Sequence, residues 1–330
     1  MEPYLTILIP AYNEESSIVQ TLNDYSKFFP SANFIVIDNN SNDKTYDTVS
    51  EYINDNSKIN IELFTETTQG KASAIKSALI KKRSLWWIMT DADNTYPAED
   101  MLSLFEYVKN NKLNHGVLDR LTKNSYTNKG RIKTFIHYIG NTFFSKLLSI
   151  ITGNNYRDVF SGGRVFSQPF IETLVINSKG FELETEINLH ASMLGIKTYE
   201  HTSAYRDRPK DSQSKLSPFY DGLKILKFSF AWLINRRSDL ILIILGSLSF
   251  ILGFILSIYL VGVFLELGSV PYPSTAIASA LFILTGLQLI FFGISFRFQR
   301  HSLQRYIRMK FNNIHRLWYK QVFENSSKNT

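Results

Sequence analysis

The chain has no cysteine among its 330 residues, which excludes disulfides and thiolate metal sites and leaves its redox compartment open. It has no Gly-x4-Gly-Lys-Ser/Thr loop, so a Walker-type phosphate cradle is excluded. His115, His137, His190 and His201 are scattered without metal-ligand spacing and read as ordinary surface or core residues. No internal repeat is visible, and the only low-complexity segment is the polar tail Glu324–Thr330. The first apolar run, Tyr4 to Ile9, is too short for a signal-peptide core and runs straight into Pro10 and Glu14. The segment that follows is therefore expected to stay on the cytoplasmic side.

Charge is unevenly placed. The formal net charge is +7, yet Arg206–Arg237 alone contributes +5 and Arg297 onward contributes +7, so the remainder sums to −5. The two basic segments flank apolar sequence. This suits a membrane surface better than nucleic acid, for which a basic stripe on the folded domain is expected. Leu240–Leu265 and Ser274–Phe296 carry no formal charge, and about 20 helical residues cross a bilayer core. Residues 266–273 between them hold no Lys or Arg, whereas Arg236, Arg237, Arg297, Arg300, Arg305 and Arg308 lie outside. The positive-inside rule then puts the short loop outside and both termini in the cytoplasm. Ser249, Gly253 and Ser257 recur every fourth position, which allows close helix approach, either to the second span or in a homo-oligomer through the transmembrane helices. Just before the first span, Phe219, Leu223, Leu226, Phe230 and Leu233 form an apolar stripe, expected for an interfacial amphipathic helix.

The first two hundred residues alternate short apolar runs with helical patterns. Leu5–Ile9, Phe34–Ile37, Ile59–Phe64 and Leu85–Met89 read as strands; Ser16–Phe28, Thr45–Ile53 and Ala72–Lys81 read as helices. That order predicts an α/β fold with a mostly parallel sheet whose ligands bind beyond the strands' carboxyl ends.

The polar clusters fall at those ends. Trp86 to Asp93 is an apolar run that finishes in two carboxylates one residue apart. In an extended strand such residues share a side, so Asp91 and Asp93 are expected to converge. Two hard oxygen ligands suit Mg²⁺ or Mn²⁺ and point to an enzyme that handles a nucleotide diphosphate. Asp38, at the end of a second strand, is placed to accept from a ribose or nucleobase. Gly70-Lys71 opens a helix whose backbone donors suit an anion.

Together these residues resemble the family-2 glycosyltransferases with the nucleotide-sugar-binding GT-A type fold, and within them the dolichyl- or polyprenyl-phosphate sugar synthases. The resemblance rests on Pro10-Ala11-Tyr12-Asn13-Glu14, Val36 to Thr45, Gly70-Lys71, Asp91-Ala92-Asp93, Ser161-Gly162-Gly163-Arg164 and Gly180-Phe181-Glu182, in that order. It implies that Pro10, Ala11, Tyr12, Glu14, Ile37 and Asp38 line the nucleoside pocket. It further implies that Asp91, Ala92 and Asp93, with Lys71 and Ser161, meet the donor and a metal. Arg206 and Lys215 match basic residues that close over the diphosphate, and Arg120 and Arg131 match arginines of an acceptor site. Thr95 stands where relatives often have Gln, and Asn39-Asn40 replace a more acidic pair. Glu186 lies where relatives with hydroxyl acceptors keep a base.

The resemblance implies inverting transfer from a UDP- or GDP-sugar to undecaprenyl or dolichyl phosphate, in glycan or lipopolysaccharide modification or protein glycosylation. The enzyme would then sit in the cytoplasmic membrane, or the ER membrane if eukaryotic. The expected organisation is a cytoplasmic domain over 1–215, a juxtamembrane helix over 216–237, two transmembrane helices over 238–298 and a basic tail over 299–330. Two rivals remain: transfer to a hydroxyl of a lipid-linked or surface glycan, and a non-catalytic scaffold with a degenerate domain. The Asp91/Asp93 pair argues against the scaffold, and the missing Gln-x-x-Arg-Trp argues against a processive polymer synthase.

Overall fold

A computed structural model describes residues 4–121, 141–142, 144–146, 148–149, 155–180, 182–204, 206 and 218–324. Its chain forms two compact units, one of residues up to 229 together with those from 307 onward, the other Phe230–Tyr306.

The first unit is built on a seven-stranded sheet. Strands β1 (Leu5–Ala11), β2 (Asn33–Asp38), β3 (Ile61–Thr65) and β4 (Trp86–Met89) alternate with helices α1 (Ile18–Phe28), α2 (Thr45–Asp55) and α3 (Lys71–Lys81). After α4 (Ala98–Asn110) come β5 (His115–Asp119), β6 (Arg164–Ser167), α5 (Gln168–Thr173), α6 (Leu183–Leu194) and β7 (Tyr199–Thr202). The strand order is β3-β2-β1-β4-β6-β5-β7, with β6 antiparallel to both neighbours and the other pairings parallel. The expected mostly parallel α/β sheet is therefore present. The third strand begins at Ile61 rather than Ile59, whose N–H is turned back to the Asn56 carbonyl.

Both sheet faces are covered, which is why β1, β2 and β4 are almost continuously apolar. Alternate residues feed opposite cores: Ile7, Ile9, Phe34, Val36, Trp86 and Ile88 on one side, Leu8, Ile35, Ile37, Trp87 and Met89 on the other. Helices α1, α2 and α4 close the first side; α3, α5 and α6 close the second.

Two long helices follow, α7 (Pro218–Leu267) and α8 (Pro273–Tyr319), then a π-helical turn, Lys320–Glu324. The expected juxtamembrane helix and first span are one uninterrupted helix. The 299–330 segment, read as a single basic tail, is divided: its residues from Ile307 group with the sheet. Trp318 is 1% exposed, its ring edge-on to Trp86 at 5.0 Å, and its indole N–H donates to the Leu85 carbonyl at 2.9 Å. Leu85 immediately precedes β4, so this contact closes the amino ends of the strands.

The second unit is a helical hairpin. Ser238–Leu267 of α7 and the helix that begins at Pro273 are both long and apolar enough to cross a membrane. The small residues are spent inside the hairpin. Ser249 Oγ donates to the Phe282 carbonyl, Ser257 and Ser279 hydroxyls lie 2.6 Å apart, and Ser279 donates to the Gly253 carbonyl. Asp239 accepts from Arg297 at 2.9 Å and from Arg300 at 2.6 Å, fixing the register of the two helices.

Candidate active site

The carboxyl ends of β1 and β2 are tied together by their loops. Asn13 N–H donates to Ser41 Oγ, Asn42 N–H to Asn13 Oδ1, and Glu14 N–H to Thr45 Oγ1. Asn13 and Asn40 take positive φ (52° and 59°), a conformation Asn tolerates better than most residues. Glu14 is buried and accepts from Ser17 Oγ at 2.7 Å. Asn39 reaches further: its amide donates to the Glu66 and Thr68 carbonyls, and its Oδ1 accepts from Gly70 N–H at 2.6 Å. Gly70, which precedes the helix expected to offer backbone donors to an anion, thus has its own N–H paired with Asn39.

Pro10 is partly exposed, Ala11 and Ile37 are buried, and the Tyr12 hydroxyl accepts from Gln69 at 3.3 Å. Asp38 ends β2 beside Ala11 in register. Its carboxyl is 4% exposed; Oδ2 accepts from Ser41 N–H at 3.4 Å, while Oδ1 has no partner among the described residues. A buried acceptor left unpaired costs about 1–3 kcal/mol, so a donor from outside the described residues would be favoured at Oδ1.

Strand β4 ends at Met89; Asp91 lies past the strand end, and Ala92 and Asp93 lie in the turn that follows. The two-residue alternation argument thus does not apply, and each carboxylate is oriented by its own partners. Lys71 Nζ lies 2.6 Å from Asp91 Oδ1 and 2.8 Å from Glu184 Oε1. Burial works against that ammonium, but Asp91 and Glu184 outweigh it and hold Lys71 above its ordinary pKa. Asp93 is 4% exposed, and its Oδ1 accepts both the Thr95 hydroxyl at 2.6 Å and the Thr95 N–H at 3.2 Å. Thr21 secures the turn by donating to the Ala92 carbonyl. Among the described residues no three acidic or imidazole side chains form a metal cage. A hard cation that completes its shell with water and substrate phosphates asks for one or two carboxylates, and Asp91 and Asp93 are the pair available at this turn.

Arg206 comes to the same turn. Its N–H donates to the Thr95 carbonyl, and its guanidinium reaches Asp24 at 2.7 Å and Asn94 at 3.1 Å. From the far side, Ser161–Gly163 closes in: Gly162 N–H donates to the Tyr96 hydroxyl at 2.7 Å, and Ser161 Oγ is 3.4 Å from it. A Cβ on Gly162 would lie 2.7 Å from Lys71 Nζ and 2.8 Å from either Asp91 oxygen, so only glycine leaves that ion pair intact. Fully buried Arg164 anchors the segment by donating to the Ser161 and Val159 carbonyls.

Arg120 and Glu186, both expected on the acceptor side, have defined partners. Arg120 makes a two-pronged pair with buried Asp158, at 2.6 and 2.9 Å. Burial alone would raise the Asp158 pKa, but the charge and hydrogen bonds of Arg120 bring it below the usual carboxylate range. Glu186, offered as a base, spends both oxygens on the Asn177 and Ser178 N–H groups and the Ser178 hydroxyl. It staples a turn. Glu184, two residues earlier in the first turn of the same helix, is the acid that reaches Lys71. Arg131 and Lys215 lie outside the described residues. His115 and His190 are core residues, stacked against or edge-on to Phe170.

Comparison with known proteins places the first half of the chain. Residues 6–175 match the family described as "Glycosyl transferase family 2". The chain is 28% identical to the glycosyltransferase AglJ of Haloferax volcanii over 87% of its own length and 91% of that protein. It is 24% identical to a dolichyl-phosphate hexose transferase from the same organism, over 68% of this chain and 91% of that one. An undecaprenyl-phosphate 4-deoxy-4-formamido-L-arabinose transferase from Pectobacterium atrosepticum is 24% identical over 88% and 86% of the two chains.

Proposed function

Since the chain belongs to glycosyl transferase family 2 and is a glycosyltransferase, we propose that it moves a sugar from a UDP- or GDP-sugar to a polyprenyl phosphate, with inversion at the anomeric carbon. The observation that carries this reading is the cluster of Lys71, Asp91, Asp93, Thr95 and Arg206 beyond the carboxyl end of β4. A lipid phosphate as acceptor is supported by relatives named for dolichyl and undecaprenyl phosphates, and by two helices long enough to hold the enzyme at a membrane. The reading puts both termini and the catalytic unit on the cytoplasmic side of the cytoplasmic membrane, or of the ER membrane in a eukaryote.

Asp38 supports a nucleoside in this pocket: its Oδ1, without a partner among the described residues, can accept from a ribose hydroxyl or a base N–H. Glu14, Tyr12, Pro10, Ala11 and Ile37 then frame the nucleoside. Asp91 and Asp93 are the residues to hold Mg²⁺ or Mn²⁺, which when bound would neutralise charge on the departing diphosphate. Arg206, held beside the Asp93 turn, adds a planar guanidinium suited to phosphate oxygens.

The acceptor phosphate, with a second pKa of about 6, is largely a dianion at neutral pH. Its oxygen attacks the anomeric carbon as the bond to the diphosphate breaks. Such a nucleophile needs positioning and charge neutralisation rather than a base, which fits Glu186 being committed to its turn. The hydroxyl-acceptor rival, which needs that base, loses support accordingly.

The test is purified full-length protein in nanodiscs with radiolabelled UDP- and GDP-sugars, short polyprenyl phosphates and Mg²⁺ or Mn²⁺. A lipid-extractable labelled product that disappears in Asp93→Asn is expected. Label in a glycan acceptor but never in the lipid phosphate would overturn the acceptor assignment.

A further inference from the structure

Lys71 has two carboxylate partners where one would neutralise it. The Lys71 and Glu184 side chains are only 12% and 4% accessible, whereas Asp91, at 28%, is the partner that opens to solvent. The ammonium is thus shared between an acid facing the donor site and an acid enclosed behind it. If Glu184 were absent, any turn of Asp91 toward a cation would strand a buried ammonium, a severe penalty in a low-dielectric setting.

Resting on the reading of Asp91 and Asp93 as metal ligands, we propose that Glu184 is a positioning residue for the cation site, retaining Lys71 while Asp91 engages the metal. The charges agree. Asp91, Asp93, Glu184 and Lys71 together carry a formal charge of −2, which one divalent cation balances. Lys71 and a dication repel each other, so the ammonium needs an anion on the side away from the metal, and Glu184 supplies it. Gly162 leaves the room this exchange requires, since any side chain there would press on both Lys71 and Asp91. A purely architectural Glu184, pinning α6 to α3, would leave metal affinity untouched.

The experiment titrates Mn²⁺ into the full-length protein in nanodiscs, reading free Mn²⁺ by electron paramagnetic resonance, alone and with saturating UDP or GDP. Glu184→Gln is expected to weaken Mn²⁺ binding by about 10- to 100-fold, as outer-shell losses do, and to raise KM for Mn²⁺ more than it lowers kcat. The double variant Lys71→Met/Glu184→Leu removes the competing ammonium together with its holder, and should recover most of that affinity. If Glu184→Gln does not fold, Glu184→Asp, which draws the carboxylate back from Lys71, decides: weakened Mn²⁺ binding supports the role and parental binding overturns it. Parental Mn²⁺ affinity in a folded Glu184→Gln, with binding lost in Asp91→Asn, removes Glu184 alone. A parent that binds no Mn²⁺ under either condition removes the metal reading and this inference with it.

Discussion

Replacing Trp318 by Ala should destabilise the catalytic unit severely although the residue lies far along the chain from the sheet it supports. The indole is 1% exposed, meets Trp86 edge-on at 5.0 Å and Phe323 at 5.6 Å, and donates to the Leu85 carbonyl. Truncating a buried Trp costs about 3–5 kcal/mol, while the Leu85 carbonyl keeps its second donor, the Gln168 N–H. For a unit of this size each kcal/mol lowers Tm by about 2–4 °C, so a drop on the order of 10 °C is expected. Trp318→Phe keeps a ring against Trp86 but loses the N–H, and should cost only about 1 kcal/mol, or ~2–4 °C. Thermal melts of the full-length protein in detergent, followed by intrinsic fluorescence, read both. Parental melting of the Ala variant would refute the claim that this segment completes the core.

Gly162→Ala should fold normally, because the atoms its Cβ meets are the mobile ends of Lys71 and Asp91, yet displace that pair and lower turnover by about tenfold or more, measured in the lipid-product assay. Arg206→Ala should leave Tm nearly unchanged, since half-exposed ion pairs contribute about 0–1 kcal/mol, while kcat/KM falls roughly 100-fold; parental turnover would exclude Arg206 from the diphosphate site. Burial, with Arg164 beside it, lowers the His115 pKa well below its usual value, and burial brings His190 down to about 4. The unfolded chain then takes up protons first, so each imidazole should remove about 1.4 kcal/mol of stability per pH unit below ~6.5, until its folded pKa is reached. Urea midpoints at pH 7.5 and 5.5 check this, and His190→Gln should flatten the slope.

Strands β1 to β4 and helices α1 to α3 were legible because both faces of a parallel sheet are buried and the turn formers between them are polar. Strands β5 and β6 were not. His115 and Arg164 sit in them fully buried, and only tertiary partners (Asn188, Val159 and Ser161 for Arg164, Thr198 for His115) make such side chains tolerable there. The site residues were legible as types, but their geometry was not. Asp91 and Asp93 lie beyond the end of β4, and Lys71 reaches Asp91 from twenty residues away, a contact no local pattern encodes. Trp318 was hidden for a similar reason, as an isolated aromatic in a basic stretch whose partner is 233 residues distant.

That separation has a consequence for biogenesis. A ribosome adding about 5–20 residues per second needs roughly 10–50 s to travel from Leu85 to Trp318. During that interval β4 has been made while its last hydrophobic cover is still untranslated, and both apolar helices are translated in between. The nascent sheet must therefore wait, partly uncovered, until the hairpin has been handed to whatever receives it. Targeting and maturation of the enzyme are coupled by chain order, so that a protein arrested before its final helix would present Trp86 to chaperones rather than donor to an active site.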